Sequence, residues 1–147
     1  MSKTRIDPDL YERFYAQADR VCAREDAKSK NSQIKRETVY TPVECVDFIN
    51  QSVADILMRE FGVSMNDPRV ELLDPFAGTG IFLARADEAG LIDPERQAIH
   101  QIELVPDSAE IAARNVPGAK THCADTFALD PRVDLGAIPT VDGDCNG

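Results

Sequence analysis

Three acidic residues, Asp74, Glu103 and Asp125, each stand at the end of an apolar, strand-like run. A turn with two glycines, Gly78 and Gly80, directly follows the first of them. At the carboxyl edge of a parallel sheet, such a turn lets a nucleotide-like ligand approach the backbone closely. An acid after the second strand can bind a ribose diol, and a further acid can accept a hydrogen bond from an exocyclic amine. Together these residues predict a pocket for an adenosyl ligand.

The glycine turn does not match the common phosphate-binding motifs. No Lys-Ser/Thr pair follows Gly78 and Gly80, as a phosphate-binding loop would require. A dinucleotide fingerprint needs a third glycine, and Leu83 occupies that position. Glu103 lies 23 residues after Gly80, close to the separation at which an acid reaches a ribose. An adenosyl ligand without a pyrophosphate therefore fits better than NAD, although any one of the acids could equally be a structural cap.

Alternating strand and helix patterns supply the elements that must position these residues. Alternation at this spacing indicates a parallel sheet with right-handed crossovers. The chain is therefore predicted to be α/β, a partial Rossmann-like fold of three parallel strands with flanking helices. The strands are predicted at 70–74, 98–104 and 119–124, and the helices at 80–89 and 107–115, with Asp107 as the second helix's N-cap.

Two further helices are predicted before the first strand. Apolar residues recur at helical spacing over residues 8–27, and residues 24–36 form a polar linker. A longer helix is predicted over residues 41–61, with Thr41 as its N-cap and Pro42 at its first position. One apolar stripe runs along this helix, and it consists of Val46, Ile49, Val53, Ile56, Leu57 and Phe61.

Composition indicates an ordinary globular protein with an acidic body. The 147 residues are 43% hydrophobic and 29% charged, and no apolar run approaches the roughly 20 residues that span a bilayer. The first residues lack the apolar segment of a secretion signal, so we expect a cytoplasmic protein. Of the net charge of −10, residues 1–40 carry +2 and residues 41–147 carry −12. Because such a body repels phosphate, the main nucleic-acid-binding surface is not expected here.

The cysteines and histidines do not indicate a metal site. Four cysteines are scattered without a Cys-x-x-Cys pair, which is typical of reduced thiols. His100 and His122 each lie in a strand-like run, so both are predicted to be structural rather than catalytic. No metal ligand is therefore predicted.

The segments around the three acids resemble the motifs of a known enzyme family. Asp74-Pro75-Phe76-Ala77-Gly78-Thr79-Gly80 resembles motif I of the DNA adenine N6-methyltransferases, which use S-adenosylmethionine. Val39-Tyr40-Thr41-Pro42 resembles motif X, placed before motif I as in the gamma class. Glu103-Leu104 is similar to motif II, and Ala124-Asp125-Thr126-Phe127 is similar to motif III. With Tyr11-Glu12-Arg13-Phe14 upstream, the order is similar to the methylase part of helicase-fused restriction–modification enzymes.

The resemblance implies a role in cofactor binding for each matched position. Thr41 would hold the methionine carboxylate, and Asp74 with the glycine turn would bind the methionine amino group. Glu103 would hold the ribose hydroxyls, Leu104 would pack on the adenine ring, and Asp125 would accept from its amine. The implied cofactor-binding residues are Tyr40, Thr41, Pro42, Asp74, Pro75, Phe76, Ala77, Gly78, Thr79, Gly80, Glu103, Leu104, Asp125 and Thr126.

One part of the family's machinery does not occur in this sequence. The catalytic motif IV, Asn/Asp-Pro-Pro-Tyr/Phe, holds an extruded adenine in that family, and no match to it is found. We therefore expect the amino-terminal portion of a DNA adenine methyltransferase, a truncated product, frameshifted remnant or cloned fragment that is inactive alone. DNA would be the partner of the complete enzyme. The expected organisation is a helical segment and linker at 1–38, a cofactor-binding half-domain at 39–135 and a disordered tail at 136–147.

Two other classes of function remain open on the sequence. A non-catalytic binding or regulatory module would associate with another subunit through the apolar sheet edge left by absent strands. Such a module would be oligomeric or part of a complex. A small oxidoreductase is the third hypothesis, and binding of NAD in preference to an adenosyl compound would favour it.

Overall fold

The computed structural model of the protein describes residues 7–28, 41–129 and 139–141. It divides into two units, Met1–Tyr40 and Thr41–Gly147. Most of the predicted polar linker lies outside the described residues. Three residues of the predicted tail are described, and the Val141 N–H donates a hydrogen bond to the Thr121 carbonyl at 2.8 Å.

The first unit is helical, as its apolar spacing predicted. It consists of α1 (Pro8–Leu10), a π-helical turn (Tyr11–Ala16) and α2 (Gln17–Lys28). The Asp7 carboxylate accepts a hydrogen bond from the Asp9 N–H and so caps the first turn. The prediction that the linker begins at residue 24 is wrong, because α2 continues to Lys28.

The second unit is built on a parallel sheet. Its strands are β1 (Leu72–Asp74), β2 (Ile99–Glu103) and β3 (Lys120–Cys123), in the order β1-β2-β3. All three predicted strands are confirmed, each slightly shorter than its apolar run. The architecture is therefore α/β and is compatible with a Rossmann-like fold.

Two helices connect the strands, and small side chains let them pack closely. They are α4 (Ile81–Glu88) and α5 (Pro106–Asn115), and a short 3-10 helix (Thr126–Ala128) follows β3. Ala84, Ala109 and Ala112 are almost completely buried where these helices pack. Because alanine has no side chain beyond Cβ, the helix backbones can approach their neighbours closely.

The long helix, α3 (Val43–Ile56), continues through a π-helical turn (Leu57–Phe61) and ends at Gly62, whose φ is 67°. That ending agrees with the prediction, but the predicted N-cap is wrong. Pro42 stands at the cap position, and no described side chain caps the helix. The proline is held in an extended conformation, which moves the start of the helix one residue later than Thr41 suggested.

The predicted N-cap of α5 is also wrong. Asp107 lies inside its first turn, and Val105 is the cap residue. Pro106 occupies the first helical position, for which its fixed φ is well suited. The N–H of Val105 itself donates to the Glu103 carboxylate at 2.8 Å, so an acid of the preceding strand holds the residue from which the helix starts.

The apolar stripe predicted along α3 and the π-helical turn that follows is only partly buried. Val46 is fully buried, whereas Ile49, Val53, Ile56 and Phe61 are between 39% and 71% exposed. The helix contacts α4 through polar groups instead. Asn50 donates to the Phe82 carbonyl at 2.8 Å, and Asp47 forms a bidentate ion pair with Arg85 at 2.8 and 2.9 Å. These pairs orient the helix and leave its apolar row facing outward.

The two histidines contact each other across neighbouring strands. The Nδ1 atom of His100 lies 3.0 Å from the Nε2 atom of His122, and the rings are stacked within 7°. His122 is fully buried.

Within the described ranges, no helix is long and apolar enough to cross a membrane.

Substituting Gly80 should destabilise the protein more than substituting Gly62. Both glycines have positive φ, 82° and 67°, so Ala at either position costs about 1–2 kcal/mol. At Gly80 a Cβ would also lie 3.2 Å from the Ala112 Cα atom, whereas no described atom lies within 4 Å at Gly62. We expect Gly80→Ala to cost at least about 1 kcal/mol more than Gly62→Ala in urea unfolding, because overpacking adds to the backbone strain. Equal losses would contradict this packing of the turn against α5.

Candidate functional site

Glu103 connects the glycine turn to the start of α5. Its Oε2 atom accepts a hydrogen bond from the Gly78 N–H at 2.9 Å, and its Oε1 atom accepts one from the Val105 N–H at 2.8 Å. A carboxylate oxygen can accept two hydrogen bonds, so each oxygen keeps one acceptor position for a ligand hydroxyl. The predicted ribose acid therefore also shapes the turn, which its spacing in the sequence did not indicate.

Asp74 carries a carboxylate oxygen that nothing described satisfies. Its Oδ1 atom accepts a hydrogen bond from the Phe76 N–H at 3.1 Å. Its Oδ2 atom is buried and has no hydrogen-bond partner among the residues that the structure describes. Burial raises the pKa of Asp74 above its usual value; the Phe76 N–H opposes this shift, and the negative charge of Glu103 adds to it. Such a costly group is typical of a binding site, where a ligand donor or cation completes it.

The register of the sheet sets the relative heights of the acids. Asp74 pairs with Gln101 in β2, so the second strand continues two residues further, to Glu103. Two strand residues correspond to about 6.6 Å, so Glu103 projects beyond Asp74 at the same carboxyl edge. The negative charge of Glu103 nevertheless raises the pKa of Asp74, as expected for two carboxylates at one edge.

Asp125 lies at the same edge, after β3, and is exposed. Its Oδ1 atom accepts a hydrogen bond from the Phe127 N–H at 3.0 Å, which caps the 3-10 helix. The Ala124 N–H donates to the Glu103 carbonyl at 3.0 Å, so the chain stays next to β2 as it leaves β3. The third acid thus shares the edge with the other two, with one oxygen used as a cap.

Two exposed aromatic rings and a leucine line this edge. The rings of Phe76 and Phe127 are tilted against each other with centroids 5.4 Å apart. Phe76, Leu104 and Phe127 are 59%, 55% and 88% exposed, although each is a large apolar side chain. Aromatic faces of this kind can stack on a flat ligand. Phe127 was not among the predicted site residues, although an aromatic residue two positions after a strand-end acid is a signal that the sequence offers.

The two glycines of the turn have different surroundings. At Gly78, whose φ is 56°, an added Cβ would have no described atom within 4 Å. At Gly80 the same position is filled by Ala112 and by the Gln101 Oε1 atom, at 3.2 to 3.3 Å. The close approach that the sequence predicted at Gly80 is therefore made by α5, because the missing side chain leaves room for Ala112.

The other predicted site residues differ in accessibility. The side chains of Ala77 and Thr79 are buried, and the Thr126 hydroxyl donates to the Pro75 carbonyl. Pro42 is exposed, and its carbonyl accepts from the N–H groups of α3, beginning with Cys45 at 2.9 Å. Thr41 is half-buried, and Tyr40 lies outside the described residues. For the part of the chain with described coordinates, no cluster of three His, Cys, Asp or Glu side chains could hold a metal ion.

Comparisons relate the chain to two restriction–modification enzymes of known structure. No family model and no curated protein matches it. It is similar to a nuclease-deletion mutant of the Type ISP enzyme LlaGI in complex with a DNA substrate mimic, with 32% identity and a TM-score of 0.48. The match covers 74% of this chain and 11% of the LlaGI chain. It is also similar to the ATP-dependent Type ISP enzyme LlaBIII bound to DNA, with 34% identity and a TM-score of 0.46. That match covers 67% of this chain and 8% of the LlaBIII chain. The chain thus spans a small fraction of the length of these enzymes.

Asp74→Asn should stabilise the protein increasingly as the pH rises. The folded-state pKa of Asp74 is raised, so the folded protein binds this proton more tightly than the unfolded chain. Below the pKa of Asp74 in the unfolded chain, about 3.9, ionisation costs the folded protein no stability. The cost grows with pH until the pH exceeds the raised pKa of Asp74 in the folded protein. The free energy of unfolding of the variant minus that of wild type should increase from pH 3 to pH 7, measured by urea unfolding.

Asp87→Asn is the matched control, because Asp87 is an exposed aspartate of α4. The same difference, measured for this variant, should change little between pH 3 and pH 7. If the difference for Asp74→Asn is constant or falls with pH, burial does not raise the pKa of Asp74.

Proposed function

We propose that this chain is the S-adenosylmethionine-binding part of a DNA adenine N6-methyltransferase of a restriction–modification system. The observation that carries the proposal is the buried, unsatisfied Oδ2 atom of Asp74 beside the open turn at Gly78. This pair of features lies at the carboxyl edge of a parallel sheet, where α/β folds bind nucleotide-like ligands. The order of the motif-like segments supports the choice of family.

The amino group of a bound methionine moiety suits Asp74. It is a cation with several N–H donors, so it would satisfy the bare Oδ2 atom and offset the repulsion between Asp74 and Glu103. The open space at Gly78 would admit the backbone side of the ligand. From the motif resemblance, Thr41 and the backbone next to it are proposed to hold the methionine carboxylate.

The adenosine part of the ligand would extend from Glu103 towards Asp125. Glu103 would accept the ribose hydroxyls with the acceptor positions that its backbone hydrogen bonds leave open. Leu104 and Phe127 would pack against the adenine ring, and the Oδ2 atom of Asp125 would accept from its amine. When bound, S-adenosylmethionine supplies a methyl group activated on a sulfonium, and these residues bind and orient it.

Electrostatics favour this cofactor over NAD. Three carboxylates lie at the sheet edge, and residues 41–147 carry a net charge of −12. A pyrophosphate would add negative charge to an already negative site, whereas a sulfonium and an ammonium carry positive charge. The same acidity means that DNA contacts in a complete enzyme are proposed to come from other segments.

Calorimetry with S-adenosylhomocysteine tests the proposal. Wild type should bind it, and Asp74→Ala should weaken binding by at least about tenfold, because a charge-assisted hydrogen bond is lost. Asp87→Ala, at the exposed aspartate of α4, is the control and should bind like wild type. Equal heats from wild type and Asp74→Ala, or tighter binding of NAD, would refute the pocket assignment.

A methylation assay tests the second half of the proposal. The sequence lacks an Asn/Asp-Pro-Pro-Tyr/Phe motif, which in the family holds the target adenine. The 147-residue chain should therefore transfer no methyl group to unmethylated DNA, even with saturating S-adenosylmethionine. Robust turnover would contradict this account of the chain.

A second candidate function is a binding module that associates with another subunit. The outward-facing row Ile49, Val53 and Ile56 of α3 favours it, since exposed apolar rows mark interaction surfaces. Among the described strands β1 pairs only with β2, so its other edge is available for pairing. Light scattering over a range of concentrations distinguishes the candidates, because a monomer at all concentrations would count against self-association.

A further inference from the structure

Side chains from outside the glycine turn hold two of its carbonyl groups. The Nδ2 atom of Asn115, the last residue of α5, donates to the Thr79 carbonyl at 2.8 Å. The hydroxyl of Thr126, at the start of the 3-10 helix, donates to the Pro75 carbonyl. Asn115 lies 36 positions after Thr79, and Thr126 lies 51 positions after Pro75, so only the tertiary fold creates these contacts.

The N–H groups of the turn are bound from β2. The Ala77 N–H donates to the Ile102 carbonyl at 2.9 Å, and the Gly78 N–H donates to the Glu103 carboxylate at the same distance. Asn115 and Thr126 therefore complete a set of four contacts that hold the turn at both ends. A turn held in this way has little freedom to lose when a ligand binds to it.

We infer that Asn115 and Thr126 are positioning residues for the ligand-binding turn between β1 and α4, an inference that rests on the proposed function. Neither side chain is assigned a contact with the ligand. Asn115 holds the carbonyl next to Gly80, and Thr126 holds the carbonyl that follows Asp74. Each holds a carbonyl of the turn that begins after Asp74 and contains Gly78, the two residues to which the proposal assigns the methionine moiety.

This role differs from the one that the motif resemblance implies for Thr126. The resemblance places Thr126 among the residues that bind the cofactor directly, whereas its hydroxyl is used on the Pro75 carbonyl. Asn115 matches no motif of the resemblance. Its effect on binding would therefore be transmitted through the backbone of the turn.

The two ligands S-adenosylhomocysteine and adenosine separate positioning from general stability. Only the first has the methionine moiety that the turn and Asp74 would hold, whereas both present a ribose and an adenine. Loss of a positioning contact should therefore weaken S-adenosylhomocysteine selectively. A loss of overall stability would affect both ligands equally or neither.

The experiment is calorimetry of the full 147-residue chain with each ligand. For Asn115→Ala we expect S-adenosylhomocysteine affinity to fall about three- to tenfold, the effect of one neutral hydrogen bond, with adenosine affinity changing less than about twofold. Asn66→Ala is the matched control, because the Asn66 side-chain amide also donates to a backbone carbonyl, that of Gly90 at 3.4 Å, and neither residue belongs to the turn. It should leave both affinities unchanged.

A second pair of variants keeps the inference testable if Asn115→Ala is poorly folded. Thr126→Val removes the hydroxyl at nearly constant volume, and Thr126→Ser retains it. The valine variant should show the selective loss, and the serine variant should recover affinity close to that of wild type. Equal affinity ratios for the two ligands in wild type, Asn115→Ala and Thr126→Val would overturn the inference.

The failure of the proposed function has a different signature. If the wild-type chain binds neither ligand, the cofactor assignment and the positioning roles fall together. If wild type binds S-adenosylhomocysteine and both variants bind it with unchanged selectivity, only the positioning roles are refuted.

Discussion

The pair of hydrogen bonds accepted by Glu103 joins the main parts of the proposed site. One carboxylate oxygen holds the glycine turn that follows β1, and the other holds the residue that begins α5. Because Glu103 ends the central strand, its side chain reaches the turn after the neighbouring strand β1 and also the Val105 N–H two residues further along its own chain. The carboxylate thereby links the conformation of the turn to the position of the residue from which α5 starts.

Asp74 illustrates the conflict between stability and binding at this edge. Burial, followed by proximity to Glu103, makes its ionised form costly, and no described donor satisfies its Oδ2 atom. A protein selected only for stability would place a neutral or apolar residue there, because unsatisfied buried charge is among the largest penalties in folding. The cost becomes understandable if a cationic ligand supplies the missing partner. The same carboxylate that destabilises the free protein would then provide much of the selectivity for that ligand.

The outer surface of the second unit has a different character from its interior. Polar pairs, including Asp47 with Arg85, hold α3 against α4, so the helix does not need its apolar row for this contact. Ile49, Val53 and Ile56 are consequently exposed. Exposed apolar rows are unfavourable for a protein that acts alone, which is why association with another subunit remains a serious second function.

The sequence by itself determined the order of strands and helices, the positive-φ glycines and the acids at the strand ends. These features depend on local periodicity and on backbone sterics, which neighbouring residues decide. Only the tertiary structure decided the strand register, the burial of Asp74, the dual role of Glu103 and the filling of the space beside Gly80 by Ala112. It also decided which side of α3 is buried and that Asn115 and Thr126 hold the turn. Each of these depends on contacts between residues far apart in the chain, and no local pattern encodes the distance or direction of such contacts.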